Sequence, residues 1–152
     1  MNVIETIRSG FAVTCVSKSL ERPGCTIALG GTPGPRLFID LDLPGSPLGE
    51  NAVRCDYLAF VDNVNQMLCV APVEFKRTWR TKMIKQLQAG AHEAEKHVPS
   101  TCECRLRPVG VFERFSPKGK RRAVRQLVSF RGRKEPIRIL ACSGKLVDAL
   151  RK

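Results

Sequence analysis

Two apolar runs separated by a short polar stretch form the clearest pattern along this chain. The first run has Asp56 near its start, and the second ends in the tripeptide Glu74-Phe75-Lys76. The polar residues 62–66 between the runs predict two strands joined by a hairpin. Residues i and i+2 of a strand share a face, so Glu74 and Lys76 point together and Phe75 points to the opposite layer. We therefore expect Asp56, Glu74 and Lys76 to lie close together.

Helical patterns stand on both sides of this hairpin. The segment Met83–Val98 has apolar residues at spacings of three and four, which predicts an amphipathic helix that Pro99 ends. Near the start of the chain, Asn2 with Glu5 three residues later is typical of a capping box. A short first helix is therefore expected from about Val3.

The remaining elements are short. Strands are predicted at 26–29, 36–41 and 106–112, followed by a basic loop at 116–122, a strand pair formed by 127–130 and 137–141, and a last helix that Ser143 caps. This order of helices and strands predicts an α/β (α+β) fold. Because no repeat or linker divides the sequence, we expect one domain over residues 1–152.

The net charge and the cysteine content of the chain indicate its partners and its compartment. With 26 basic and 14 acidic residues, the chain has a net charge of +12. Such an excess repels itself in a compact state and indicates an anionic partner, of which nucleic acid is the first candidate. Seven cysteines without paired spacing favour a reducing compartment over a disulfide framework. No apolar stretch has the length of a membrane helix, so we expect a cytoplasmic protein without a membrane partner.

Two carboxylates and an amine at one point suit metal-assisted cleavage of phosphodiester bonds. Mg²⁺ prefers oxygen ligands and usually takes one or two carboxylates, which Asp56 and Glu74 supply. Such an ion polarises a phosphoryl oxygen, while Lys76 positions the attacking water or stabilises charge at phosphorus. The alternative is an ordinary salt bridge at a strand end, because acid-x-Lys tripeptides often arise by chance.

The spacing Asp-(x17)-Glu-x-Lys, followed by a helix that carries glutamine, resembles the PD-(D/E)xK nuclease superfamily. That superfamily includes restriction endonucleases, archaeal Holliday-junction resolvases and many bacterial defence nucleases. The resemblance covers about residues 50–95 and implies a restriction-endonuclease-like fold, with a mixed central sheet flanked by helices. This sequence differs from the family pattern at two positions. Cys55 stands where a proline precedes the first aspartate, and Pro72 suggests a bulge or an edge strand.

The same resemblance implies roles for individual residues. Asp56 and Glu74 bind Mg²⁺ or Mn²⁺, Lys76 is the catalytic lysine, and Gln86 orients the lysine or the scissile phosphate. Members often have a further acid before the first catalytic strand, and Glu50 and Glu5 are both candidates for it. The implied activity is that of a metal-dependent endodeoxyribonuclease, a hydrolase acting on DNA in preference to RNA. A homodimer or a larger protein partner remains open, as does a part in antiviral defence or a mobile element.

Basic residues provide the expected contacts to nucleic acid. Two groups are predicted to bind the phosphate backbone: Arg77, Arg80 and Lys82 beside the site, and Lys118, Lys120, Arg121, Arg122, Arg125, Arg131, Arg133 and Lys134 in the C-terminal third. Seven phenylalanines, one tyrosine and one tryptophan are too few to predict a stacking platform for single strands. Two other functions stay open: a non-catalytic nucleic-acid-binding or assembly subunit on the same fold, and a regulator that binds an acidic protein surface.

Overall fold

The computed structural model of the protein describes residues 2–151, which form four α-helices and eleven strands. The helices are α1 (Val3–Arg8), α2 (Lys82–Glu95), α3 (Pro117–Val124) and α4 (Leu146–Arg151). The strands are β1 (Val16–Ser17), β2 (Glu21–Arg22), β3 (Cys25–Thr26), β4 (Arg36–Asp40), β5 (Tyr57–Val64), β6 (Met67–Lys76), β7 (Cys104–Leu106), β8 (Val109–Phe112), β9 (Leu127–Phe130), β10 (Arg133–Pro136) and β11 (Arg138–Ala141).

A mixed sheet of seven strands forms the centre of the molecule. Six of its strands follow the order β1-β4-β5-β6-β8-β11, and β7 also pairs with β6. The neighbouring pairs β1–β4, β4–β5 and β5–β6 are antiparallel. Strands β7 and β8 run parallel to β6, and β11 runs parallel to β8. The predicted fold class, a mixed central sheet flanked by helices, is confirmed.

Both faces of the sheet are covered, which explains why its central strands read as continuous apolar runs. On one face, Leu58 and Val70 pack with residues of α1 and α2, including Leu87. On the other face, Val73 packs with residues of α4, including Leu146. Even-numbered residues of β6, and of β5 up to the register shift after Val61, therefore face α2, and odd-numbered residues face α4.

Pro72 lies in the centre of the sheet, and the expectation of a bulge or an edge there is wrong. It stands opposite Leu58 within an unbroken stretch of the β5–β6 ladder, whose only register shift lies between Val61 and Val64. On its other side, β6 changes partner at this point. Strand β7 ends opposite Val70, and β8 begins opposite Val73. A residue without an N–H is tolerated here because the neighbouring ladder is interrupted.

The predicted basic loop at 116–122 is a helix, α3. Its N-cap is Ser116, whose hydroxyl accepts a hydrogen bond from the Gly119 N–H at 3.0 Å, and Pro117 occupies the first turn. Serine at the N-cap followed by proline is a recognised start signal. The high charge of the segment and its glycine masked this signal in the sequence.

Several boundaries and pairings differ from the predictions. The first helix and its Asn2 cap are confirmed, and α2 ends at Glu95, short of the predicted end. The predicted strand 106–112 is divided into β7 and β8, and only Cys25–Thr26 forms a strand near 26–29. Strand β9 pairs with β10 rather than with β11. Ser143 has a positive φ and lies in a turn, so the last helix begins later, at Leu146.

One pair of cysteines is joined, which the sequence did not indicate. Cys25 in β3 and Cys142 after β11 form a disulfide across 117 residues of sequence. Cys55 and Cys69 are buried free thiols inside the apolar runs, where they pack as small apolar side chains. Within the described residues, no helix combines the length and the apolar character that a bilayer crossing requires.

Gly90 allows α2 to approach the β5–β6 hairpin, and this predicts an unusual response to alanine. A Cβ at this position would meet Cys55 Sγ and would lie 2.8 Å from Pro72 Cβ. Alanine usually stabilises a helix interior by about 0.5–1 kcal/mol relative to glycine. We expect Gly90→Ala instead to lower the free energy of unfolding by about 1–3 kcal/mol, because close-packed atoms must move.

Urea unfolding of Gly90→Ala and wild type measures this difference. The matched control is Gly49→Ala on an exposed loop, where nothing lies within 4 Å of the added atom. Its effect should stay within about 0.5 kcal/mol. A stabilised Gly90→Ala protein would contradict the close packing of α2 on the hairpin.

Candidate active site

The register of the β5–β6 hairpin brings the two predicted acids together. Tyr57 stands opposite Val73 in the antiparallel ladder, so one step further places Asp56 opposite Glu74. Directly opposed residues of such a ladder project from the same face with their Cβ atoms about 5 Å apart. Both residues line the same cleft, near the carboxyl ends of the parallel strands β6 and β8. Ligands of open α/β sheets commonly bind at this end of the strands.

The carboxylate of Asp56 is held from two sides. Its Oδ2 accepts a hydrogen bond from the backbone N–H of Phe75 at 2.8 Å, which ties the start of β5 to the end of β6. Its Oδ1 accepts from Arg22 Nε at 3.1 Å. The side chain is 16 % exposed, so it borders solvent while its orientation is fixed.

Glu74 is the most unusual ionisable group of the site. Its side chain is only 4 % exposed, and Oε2 lies 2.9 Å from Lys76 Nζ. Burial, followed by the charge of Asp56, raises the pKa of Glu74 to about 7, although Lys76 acts in the opposite direction. Its other oxygen, Oε1, is buried and has no hydrogen-bond partner among the described residues. A buried acceptor without a donor is rare and marks a place where an additional group can bind.

Gln86 projects from the first half of α2 toward the same place. Its Nε2 donates to the backbone carbonyl of Arg54 at 3.3 Å, and its Oε1 is buried without a partner within residues 2–151. The helix orients this side chain because Met83, Leu87 and Gly90, on the same side, pack into the core. The site therefore contains two unpartnered acceptor oxygens, one from Glu74 and one from Gln86.

The four predicted catalytic residues line one open cleft of about 550 Å³. Its wall also includes Arg22 and Arg54, along with the predicted nucleic-acid-binding residues Arg77 and Lys82. Cys55 lies beneath the cleft. Burial, and next the charge of Glu74, raises the pKa of its thiol well above its usual value. The thiol therefore stays protonated and is not available as a nucleophile.

Arg22 is the part of the site that sequence reasoning missed. Besides Asp56, its guanidinium contacts Asp40 Oδ1 at 3.2 Å and Asp42 Oδ2 at 2.8 Å, and it lies 4.4 Å from the ring centroid of Tyr57. Burial acts to lower the pKa of Arg22, but the charges of Asp56 and Asp40 raise it overall. No local sequence motif predicts that Arg22 belongs to the site, because its partners lie 18 to 34 residues further along the chain.

The donor set is compatible with a hard divalent cation. An ionised carboxylate has about four lone-pair positions. Asp56 uses two of them, one for Arg22 and one for Phe75 N–H, and Glu74 Oε1 is unused. Two carboxylates on one side, with water and phosphate completing the shell, are a usual arrangement for Mg²⁺. Residues 2–151 do not bring three or more His, Cys, Asp or Glu side chains together as a ready metal cluster. The fit therefore rests on Asp56 and Glu74 alone.

Neither candidate for a further acid lies in the cleft. Glu50 is exposed on the loop before β5, where its backbone carbonyl accepts from Arg54 Nη1 at 3.2 Å, and its side chain does not line the cavity. Glu5 is exposed on α1. Asp42, which the sequence did not indicate, does line the cleft, but it is paired with Arg22 and Arg54.

The predicted basic residues do not form one continuous surface. Arg80 is exposed just before α2. Five basic residues lie on or directly after α3, which follows β8 at the same end of the sheet as the cleft: Lys118, Lys120, Arg121, Arg122 and Arg125. Arg131 and Arg133, by contrast, border a cavity with Met67 and Cys104, the first residues of β6 and β7. Ten residues of β6 separate the two ends of the sheet by about 30 Å.

Arg131 serves a structural purpose at that far end. Its guanidinium donates to the carbonyl oxygens of Cys102 at 2.6 Å, Pro99 at 2.8 Å and Val98 at 3.3 Å. These three bonds fasten the loop after α2 to the β9–β10 hairpin. The hairpin residues Arg133 and Lys134 remain exposed and lie at the same end.

Comparison with known proteins finds no matching family model, no similar curated protein and no similar solved structure. The relation to the PD-(D/E)xK superfamily therefore stays a prediction. It depends on the residues described above and on their geometry.

The buried state of Glu74 predicts how stability varies with pH. The unfolded chain loses this proton near pH 4.5, whereas the folded protein keeps it to about pH 7. Between these values the folded state binds more protons, so the contribution of Glu74 to stability falls as the pH rises and is constant above about 7. Glutamine does not titrate. Glu74→Gln should therefore gain about 3 kcal/mol of stability relative to wild type between pH 4.5 and pH 8.

Chemical denaturation of both proteins across this pH range measures the difference. Glu113→Gln is the matched control, because Glu113 lines the same cleft but is 39 % exposed and pairs only with the exposed Arg77. Its effect should be small at every pH. A Glu74→Gln difference that does not vary with pH would contradict the raised pKa.

Proposed function

We propose that this protein is a Mg²⁺-dependent nuclease that hydrolyses phosphodiester bonds of DNA. The observation that carries the proposal is the meeting of Asp56 and Glu74 on neighbouring strands, with Lys76 Nζ 2.9 Å from Glu74 Oε2, in an open cleft. An acid pair with an adjacent ammonium group is a costly arrangement to bury, and such groups concentrate at functional sites. The net charge of +12 supports an anionic substrate.

Asp56 and Glu74 would hold the metal ion between them. A bound Mg²⁺ would polarise a phosphoryl oxygen and lower the pKa of a water molecule beside the scissile bond. Glu74 Oε1 suits this role because it is buried and no described residue donates to it, while the charge of Asp56 acts on the same carboxyl group. Asp56 would share its oxygens with Arg22 and with the Phe75 N–H, which hold it in place.

Lys76 and Gln86 would act on the phosphate and on the attacking water. An ammonium group has three donors and no acceptor, so Lys76 stabilises negative charge as phosphorus gains a fifth oxygen. The unpartnered Oε1 of Gln86 accepts a hydrogen bond from the water and so orients its oxygen. The water oxygen then bonds to phosphorus, one bond to a sugar oxygen breaks, and the products are a phosphomonoester and a hydroxyl group.

A second candidate function is a non-catalytic nucleic-acid-binding or assembly subunit. It is favoured by the position of Arg22, whose Nε already neutralises Asp56 Oδ1 at 3.1 Å. It is also favoured because the described residues gather no group of three metal-binding side chains. In that case the cationic cleft wall binds phosphate, and the carboxylates serve to fix Arg22 and Lys76. The two functions share the substrate and differ in whether a bond is broken.

Cleavage assays on single-stranded and double-stranded circular DNA test the proposal. Wild type should cut with Mg²⁺ or Mn²⁺ and stop when the metal is chelated. Asp56→Asn, Glu74→Gln and Lys76→Ala should each lower the rate by about 100-fold or more, because each removes charge from the reacting centre. Asparagine at 56 keeps an acceptor for the Phe75 N–H, so loss of activity would not merely report loss of structure.

The control is Glu113→Gln, which changes an exposed acid of the same cleft and should keep the wild-type rate. Cleavage that survives at Glu74→Gln and Lys76→Ala would rule out the assigned site. DNA binding that weakens steeply with salt, without cleavage by wild type in either metal, would instead favour the non-catalytic subunit.

A further inference from the structure

A second groove begins where the two strands of the cleft end. Beyond β6 and β8 the chain continues side by side for two more residues. Glu113 N–H donates to the Lys76 carbonyl at 3.2 Å, and Arg114 N–H donates to the Arg77 carbonyl at 2.9 Å. The segments then form the walls of a groove of about 500 Å³, lined by Trp79, Arg114, Phe115, Lys118, Gly119 and Arg122, with Thr78 and Ser116. We call it the aromatic–basic groove.

Aromatic side chains form one part of its wall. Phe115 is 38 % exposed, which is uncommon for a residue that also packs edge-on against Phe112, at 6.1 Å between centroids. Trp79 lies 6.5 Å from the same Phe112 ring. Gly119 lies beside Trp79 in this wall, and a Cβ at this position would stand 3.4 Å from Trp79 Cβ.

Cations form the rest of the wall. Arg114, Lys118 and Arg122 all line the groove, and none of the described residues that line it is acidic. None of these three is in an ion pair with a described carboxylate. Lys120 Nζ, on the next turn of α3, lies 5.7 Å from the centroid of Phe115. The charge is therefore available to an anion rather than used within the fold.

We infer that the aromatic–basic groove binds an unpaired base of a DNA strand, together with its phosphate, next to the cleft. The inference rests on the proposed function, because the cleft supplies the path of the strand. An aromatic face with nearby cations matches the π-face of a base and the charge of its phosphate. Bare phosphates would not need the aromatic wall, and an apolar peptide would not suit three unpaired cations.

Distance supports one continuous strand. Trp79 follows Lys76 by three residues, so the two lie within about 10 Å of each other. Successive nucleotides of one strand are about 3.4 Å apart along a duplex axis, which places the groove within a few nucleotides of the cleft. A base inside a duplex is stacked and paired, so the groove selects single-stranded or locally unpaired DNA.

Tryptophan fluorescence gives a direct test, because Trp79 is the only tryptophan of the chain. Wild type, without divalent metal, is titrated with an oligothymidylate of about twelve nucleotides and with an abasic strand of equal length. The thymidylate should quench Trp79 emission to saturation and bind about tenfold more tightly than the abasic strand. Duplex DNA of the same length should not quench.

Variants separate stacking from charge. Phe115→Ala should weaken thymidylate binding by about five- to tenfold and leave the abasic strand unaffected, since only a base stacks. Lys118→Ala should weaken both strands equally, because it contacts phosphate. Val124→Ala, at a residue of α3 that is 44 % exposed and does not line the groove, is the matched control and should change neither.

The outcomes distinguish this inference from the nuclease proposal. Equal binding of both strands, no quenching, or no effect of Phe115→Ala overturns the groove assignment, even if the protein cleaves DNA. Base-dependent quenching that Phe115→Ala weakens supports the groove. If wild type shows this behaviour but does not cut DNA with Mg²⁺ or Mn²⁺, the nuclease proposal fails and the groove stands.

Discussion

The antiparallel pairing of β5 with β6 is the interaction on which the rest of the structure depends. Its register brings Asp56, directly before β5, beside Glu74 near the end of β6, in the cleft that Gln86 of α2 also lines. The period of a strand is two, so a slip of one residue would turn Glu74 toward α4 and away from Gln86. The Phe75 N–H bond to Asp56 Oδ2 fastens the end of the hairpin in this register.

This arrangement is tolerated because its charges are compensated locally. Glu74 is nearly inaccessible to water and faces a second carboxylate, which alone would be strongly unfavourable. Lys76 neutralises one oxygen of Glu74, and Arg22 neutralises one oxygen of Asp56. Two of the buried side-chain atoms without a hydrogen-bond partner among residues 2–151, Glu74 Oε1 and Gln86 Oε1, belong to residues that line the cleft. Violations of the usual rules of burial tend to lie at functional sites, which is consistent with the proposal made for this cleft.

Two surfaces adjoin the acids of the cleft: a basic border and the aromatic–basic groove. Arg77 and Lys82 border the acids, while the aromatic–basic groove continues from the ends of β6 and β8. The remaining basic residues of the β9–β10 hairpin lie at the opposite end of the sheet, and Arg131 is committed to three backbone carbonyls there. The basic residues of the chain therefore lie in two separate regions of the surface rather than in one. Under the proposed function, the basic residues beside the cleft are the ones that a bound DNA strand would reach.

Local patterns in the sequence determined the hairpin, α1, α2 and the common face of Glu74 and Lys76, because the period of a strand or helix follows from neighbouring residues. They did not determine that Arg22 reaches Asp56 or that Cys25 joins Cys142, since these partners lie 34 and 117 residues apart. They also misjudged α3 as a loop and did not indicate that Trp79 and Phe115 line one groove. The packing of distant segments is set by the burial of both faces of the sheet, which involves the whole chain. Only the tertiary structure therefore shows which of these segments meet.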